Sequence, residues 1–476
     1  MLIRSVSVLT LALAGALPAQ APRQLQPAVA RYVDINEPVV ALTNVRLIDG
    51  TGTPARTRQT ILISGDRIAA VGPTATTAVP SGARRIDLSG HTVMPGIIGL
   101  HDHMYYSSAA GGSMKLMLQS YPRLFLSAGV TTIRTTGSVD SYQELNLKRS
   151  LGLGEQPGPD IFVTGPYLQG PGPGPGAMYP LSGPEDAARL VRYWSEEGVS
   201  WFKAYTQISR ASLGAAIKEA HKHGVKVTGH LCSIGFREAV ALGIDNLEHG
   251  FLDNLEYFPG KQPDQCPSDY VTQRKVYGNL DINGPEVQET IREMVARGVS
   301  MTSTLAVIEL GSGRPVPRDP RVLAALFPAA AASVDSFYTR SATQNDPVLL
   351  KAFKNGMAFE RAFVAAGGLL GAGSDPCCLS AIAGYADQRN YELLVEAGFS
   401  PEGAVQIMTQ NGARILGIAD RVGAVLPGQE ADLVVLQGDL TGDPGVIRNV
   451  VTVYKRGLGF SSAKLTAAVR GMVGVR

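Results

Sequence analysis

The spacing of hydrophobic positions changes character twice along the chain. Residues 41–48 and 60–64 are short, β-rich runs punctuated by Asp49-Gly50 and Gly65-Asp66, the pattern of strands joined by turns. The same style returns after Gly423, at 431–436 and 450–454, so the two ends of the chain can pair into one small β domain. Between them, strand-like runs alternate with stretches of helical period. A helix from Pro184 places Ala187, Leu190, Val191 and Trp194 on one face. A second, over 209–223, buries Leu213, Ala216, Ile217 and Ala220 and closes at Gly224. Further helical stretches fall at 140–151 and around Val287, Ile291 and Met294.

The strands between the helices number eight: 93–103, 130–135, 161–164, 201–205, 226–230, 246–249, 301–305 and 369–375. Eight parallel strands with intervening helices predict an α/β chain with a (β/α)8 TIM-like barrel over 93–419. The flanking segments, 36–92 and 420–476, are expected to form a composite β-sandwich domain. An open doubly wound sheet is the alternative, but no Gly-x-Gly-x-x-Gly follows any strand.

Composition acts mainly by exclusion. Hydrophobic residues make up 45% and charged residues 18%, which excludes a disordered or highly charged chain. A net charge of +2 offers no basic footprint for nucleic acid and no acidic tail. Residues 1–21 read as a secretory signal: a positive start at Arg4, an apolar run to Leu17, then small residues for cleavage. Export to a periplasm or the exterior is expected. No later stretch is long and apolar enough to span a membrane. Four cysteines are too few for a disulfide framework. Cys266 is expected either to bridge Cys377 or Cys378 or to stay a buried thiol, and a vicinal Cys377–Cys378 bond is the least favoured pairing.

Four of the seven histidines fall at strand ends. His101 and His103 are two apart on the first strand and so share a side. Lys203, His230, His249 and Asp375 end strands four, five, six and eight, and in a barrel all these positions converge at one mouth. Imidazole and carboxylate together suit zinc or a similar divalent metal. Lys203 stands in Trp-Phe-Lys-Ala-Tyr, where a buried ammonium is expensive and would repel a metal. Either its stem is buried and its charge reaches solvent, or carbon dioxide converts the amine to a carbamate that bridges two cations. The five neighbouring ligands favour the carbamate. His221 and His223 close a helix, and His91 lies in a linker; none is a candidate ligand.

These residues bring a family into view. Residues 42–51, 93–103, 129–134, 244–249, 371–375, 411–416 and 423–435, taken in order, resemble the amidohydrolase superfamily. Within it they are most similar to the binuclear imidazolonepropionase-like and Xaa-Pro-dipeptidase-like branch, over nearly all of 39–454. The resemblance implies one metal on His101, His103, carboxylated Lys203 and Asp375, and a second on the carbamate, His230 and His249. It implies two divalent ions, zinc foremost, with carbon dioxide or bicarbonate as the source of the N6-carboxylysine. A metal-bridging hydroxide would then attack an amide carbonyl, with Asp375 as general base and then acid.

The chain departs from the dipeptidase-like pattern at two places. Cys232 stands where those members carry a Tyr, and a Gly-Pro run at 170–176 replaces a Gly-Gly-His. These departures bear on Xaa-Pro cleavage, not on metal-dependent hydrolysis. Tyr105, Tyr106 and Tyr205 are candidate substrate contacts, and Tyr167 and Tyr179 also follow strands. Excursions at 251–284 and 306–346 either cover the substrate as lids or join subunits of a homo-oligomer. The expected function is hydrolysis of a C–N bond in a small peptide-like or N-acyl amino-acid substrate. A lactonase or esterase on the same site, and a metal-free scaffold relative, are the alternatives.

Overall fold

A computed structural model describes residues 22–107, 113–172 and 178–475. The signal-like segment 1–21 and part of the Gly-Pro run lie outside the described residues. Eight parallel strands run through the middle of the chain. They are β1 (Ile97–Asp102), β2 (Val130–Thr135), β3 (Asp160–Phe162), β4 (Trp201–Ala204), β5 (Lys226–Gly229), β6 (Asn246–Glu248), β7 (Ser300–Ser303) and β8 (Leu370–Ala372). Most of their residues are buried on both faces, as expected for parallel strands covered by helices.

The strands form two arcs, β3-β2-β1 and β4-β5-β6-β7-β8, which touch at both ends. At one end Thr164 bridges Trp201, and the Leu168 amide donates to the Lys203 carbonyl at 2.8 Å. At the other end the Ser374 and Asp375 amides donate to the His101 carbonyl at 3.1 and 2.8 Å. Gly373 makes that approach feasible, since a Cβ there would collide with the His101 backbone. The helices between strands bury the faces their period predicts. Pro184–Glu196 buries Ala187, Leu190 and Val191, and Arg210–Lys222 buries Leu213, Ala216, Ile217 and Ala220. Ser209 caps the latter by accepting from the Ser212 amide.

A nine-stranded sheet joins the two ends of the chain. Its path runs through Val33–Ile35, Leu458–Ser461, Val450–Lys455, Leu433–Gln437, His91–Pro95, Val39–Leu47, Arg56–Ser64 and Arg67–Pro73, with Arg84–Asp87 beside Val39–Leu47. Its apolar core includes Val40, Leu42, Ile61, Ile63, Val93, Leu433, Val435 and Tyr454. The excursion 251–284 carries the helix Tyr270–Asn279, and 306–346 carries Pro320–Ala325 and Pro328–Ser341. The cysteine expectation is corrected. Cys266 bridges Cys232, whose Cα lies 5.0 Å away, while Cys377 and Cys378 are free thiols with sulfurs 2.7 Å apart. The reason is topological: the turn after β5 and the excursion after β6 emerge from neighbouring strand ends, a proximity invisible in sequence spacing.

Candidate active site

The strand ends gather the six side chains named from the sequence. His103 Nε2 stands 3.0 Å from Asp375 Oδ1, and His101 Nε2 stands 3.8 Å from Asp375 Oδ2. Lys203 Nζ lies 3.4 Å from His101 Nε2. A second group forms around Asp253, in the turn after β6. Its Oδ2 is 3.3 Å from His230 Nε2 and 3.7 Å from His249 Nε2. The rings of His101 and His249, with centroids 4.4 Å apart, join the two groups.

A buried frame fixes these side chains. His101 Nδ1 is 2.8 Å from Glu248 Oε2, and Arg134 donates to the other Glu248 oxygen at 2.5 Å. Thr228 donates to that same oxygen. Arg134 also donates from Nε to the Leu100 carbonyl at 2.6 Å and stacks 4.4 Å over the Trp201 ring. His249 Nδ1 meets Thr304 Oγ1 at 2.7 Å. Outer partners of this kind select the tautomer and present Nε2 to the site. His249 and Asp375 hold left-handed backbones, φ 64° and 49°, strained conformations for non-glycine residues of the sort that gather at functional sites.

Burial governs the electrostatics. It lowers the His101 pKa to about 4, aided by the Lys203 charge, and it lowers His230 and His249 as well. All three imidazoles are therefore neutral near pH 7, the state that binds metal. Burial pulls Lys203 down to about 8. Burial would raise Asp375, but His101 and His103 overcome it and hold the carboxyl well below its ordinary range. For Glu248, Arg134 and His101 likewise overcome burial. Asp253 is raised by burial, with His230 opposing.

Among the tyrosines, Tyr105 stacks on His103 at 4.6 Å and shares a 2.9 Å hydroxyl contact with Tyr167. Tyr205 lies 4.8 Å from His230 and 5.3 Å from Tyr167 by ring centroid. Tyr106 turns its hydroxyl to the Leu379 carbonyl at 3.0 Å, and Tyr179 is exposed. Sequence reasoning does not single out Glu248, Arg134, Thr304 or Asp253. A charged residue inside a buried strand was the available signal for Glu248 and Arg134, the same signal that marks Lys203. For Asp253 the only cue was an acidic residue in the apolar turn behind His249.

The residues fit divalent cations. Two sets of donor atoms, His101–His249–Asp375 and His230–His249–Asp253, each lie within 4.8 Å of one another. His249 Nε2 and Asp253 Oδ2 are buried with no hydrogen-bond partner, as ligands awaiting an ion would be. The profile of the amidohydrolase family matches residues 92–458. The chain belongs to the amidohydrolase family. Among solved structures, this amidohydrolase is similar to a prolidase-like protein from Bifidobacterium longum, with 24% identity and a TM-score of 0.66 over 90% of this chain and 98% of that one. An Xaa-Pro dipeptidase with methionine bound in its active site gives 21% and 0.64, over 89% of this chain and all (100%) of that one. The A. niger ochratoxinase gives 19% and 0.64, over 91% and 99%. At these identities the likeness is one of fold. No curated protein sequence matches the amidohydrolase.

Proposed function

We propose that the chain is a binuclear metal-dependent hydrolase that cleaves a C–N amide bond in a small peptide-like or N-acyl amino-acid substrate. The observation that carries this reading is the pair of converging imidazole–carboxylate groups, in which buried His249 Nε2 and Asp253 Oδ2 make no hydrogen bond. The six sequence-named residues would hold two cations, His101, His103 and Asp375 on one side and His230 and His249 on the other, with carboxylated Lys203 between. Bound there, divalent cations, zinc first by donor chemistry, supply an activated water and polarise the scissile carbonyl.

The chain's own residues do the rest. Glu248 and Thr304 hold the His101 and His249 rings in place. Asp375, kept ionised by its two histidines, is positioned to take a proton and return it to the leaving nitrogen. A lysine amine depressed to about 8 has a neutral fraction near physiological pH, the form that adds carbon dioxide. Tyr105 and Tyr205, beside His103 and His230, are placed to line the substrate.

We place this chemistry in a (β/α)8 barrel over 93–419, with 36–92 and 420–476 forming one β domain against it. The exported location rests on the signal-like start and on the Cys232–Cys266 disulfide, a bond suited to an oxidising compartment. No described helix is long and apolar enough to cross a membrane. The test is metal analysis of the purified chain, followed by a screen across dipeptides, N-acyl amino acids and lactones. About two cations per chain and amide turnover are expected. No cation, or turnover confined to lactones, overturns the reading.

A further inference from the structure

His230, His249 and Asp253 form a more self-sufficient group than two histidines leaning on a shared carbamate. Two donors each about 2.1 Å from a tetrahedral zinc ion stand roughly 3.4 Å apart. Asp253 Oδ2 keeps separations of 3.3 Å from His230 Nε2 and 3.7 Å from His249 Nε2, which bracket that value. Charge-assisted hydrogen bonds would draw the same atoms to about 2.8 Å. Asp253 Oδ2 and His249 Nε2 are both buried and make no hydrogen bond. The backbone is arranged to bring them together. His249 and Gly250 take successive left-handed conformations, φ 64° and 61°, which turn the chain back after β6 and return Asp253 over the strand ends. Thr304 engages His249 through Nδ1, leaving Nε2 to face the same point as Asp253. The one hydrogen-bond contact of the Lys203 amine among the described residues is with His101 Nε2, at 3.4 Å on the first-cation side.

We propose that Asp253 is a direct ligand of the second cation, so that His230, His249 and Asp253 bind one divalent ion without the Lys203 carbamate. This rests on the two-cation reading above. Two imidazoles and one carboxylate are a complete protein set for hydrolytic zinc, with a position left open for water or substrate. The second cation then loads independently of carbon dioxide, and the carbamate joins a site already half built. Asp253 is thereby a metal ligand that the six-residue set omits.

The test measures metal affinity by chelator competition with Zn2+ alone, on the full chain, with the first-cation group disabled by His103→Asn. One Zn2+ should remain per chain. Adding Asp253→Asn should weaken its binding at least tenfold, whereas adding Lys203→Ala should leave it within twofold. Asp253→Glu, which keeps the carboxylate, should recover part of the loss. Melting of the cation-free variants checks that each is folded. A second measurement needs no variant at Asp253: the His103→Asn chain should bind Zn2+ equally in carbon-dioxide-free and bicarbonate buffers. Unchanged affinity in Asp253→Asn overturns the proposal. Equal losses from Lys203→Ala, or a requirement for bicarbonate, overturn its independence from the carbamate. If the wild-type chain binds no Zn2+ at all, the two-cation reading falls instead.

Discussion

Lys203 and Lys455 are both buried, 1% and 8% exposed, but they keep different company. Lys455 Nζ donates to Asp432 at 2.6 Å and to Asp160 at 2.9 Å, and Arg456 completes the group by donating to both Asp160 oxygens at 2.8 Å. Burial alone would lower the Lys455 pKa; its two carboxylates overcome that and raise it. Lys203 has no carboxylate within ion-pair reach among the described residues, and burial prevails over the more distant Glu248 and Asp375. Lys455 fastens the terminal sheet to the start of β3. Lys203 is left without a carboxylate partner at the strand ends, where an amine that can lose its proton is chemically useful.

The sharpest way to break this contrast is to remove each lysine in turn. Lys203→Ala, like Asp375→Asn, should cut turnover by about 1,000-fold or more while shifting the melting temperature little. Lys455→Ala should do the reverse, costing about 3–5 kcal/mol in denaturant unfolding because buried Asp432 loses its ammonium partner and Asp160 keeps only Arg456. Its turnover per folded molecule should stay at the wild-type level. A stability loss for Lys203→Ala as large as that for Lys455→Ala would erase the distinction.

Cation removal should affect only the strand-end region. A chelator should abolish turnover and lower the melting temperature of the wild-type chain, with Zn2+ restoring both. The same treatment of a His101→Gln/His230→Gln chain should move its melting temperature little. A comparable shift there would place the stabilising cation elsewhere.

Proton uptake offers a graded comparison. In the cation-free chain His101 has its pKa lowered from 6.5 to about 4 by burial, with Lys203 adding to the effect. The unfolded chain therefore binds more protons between those values, and stability falls as pH drops from 6.5 toward 4. The loss is on the order of 3 kcal/mol. His101→Gln should flatten this slope in urea titrations at stepped pH; an unaltered slope would assign it to another group. Lys455, raised rather than lowered, contributes nothing in that window.

The smallest effect belongs to an exposed lysine. Lys464 pairs with Asp34 at the surface, with both side chains about half exposed, 50% and 47%. Lys464→Ala should cost less than about 1 kcal/mol in the same unfolding assay. A cost approaching that of Lys455→Ala would show that burial is not what separates the three.

The six strand-end residues were legible because strand alternation and strand ends are sequence properties. His101 and His103 fall two apart, and Lys203 declares itself by standing in an apolar run. Asp253 was not legible, because a turn with two left-handed residues carries it back to the site, and side-chain direction through such a turn has no period. Glu248 was hidden by its neighbour: the motif around His249 was read for the ligand, while the residue beside it grips the ring of a histidine on another strand. The Cys232–Cys266 pair joins two connections, and which connections meet depends on the placement of strands β5 and β6. The helical faces and most strand positions followed from hydrophobic period alone, but the run 93–103 divides into His91–Pro95 of the nine-stranded sheet and β1, and β8 ends at Ala372, three residues short of the expected 375.

The nine-stranded sheet sets its earliest strands beside its latest. Val39–Leu47 and Arg56–Ser64 are synthesised long before Leu433–Gln437 and Val450–Lys455 exist to complete the sheet. At about 5–20 residues per second, the interval is on the order of tens of seconds. Throughout it Val40, Leu42, Ile61 and Ile63 lack Leu433, Val435 and Tyr454 as core neighbours, and a strand edge stays open. A nascent chain stopped short of residue 433 would carry every strand-end ligand, Asp375 included, on an unfinished molecule. In the time course of synthesis, the sheet is the element that separates a complete enzyme from a fragment bearing all of its chemistry.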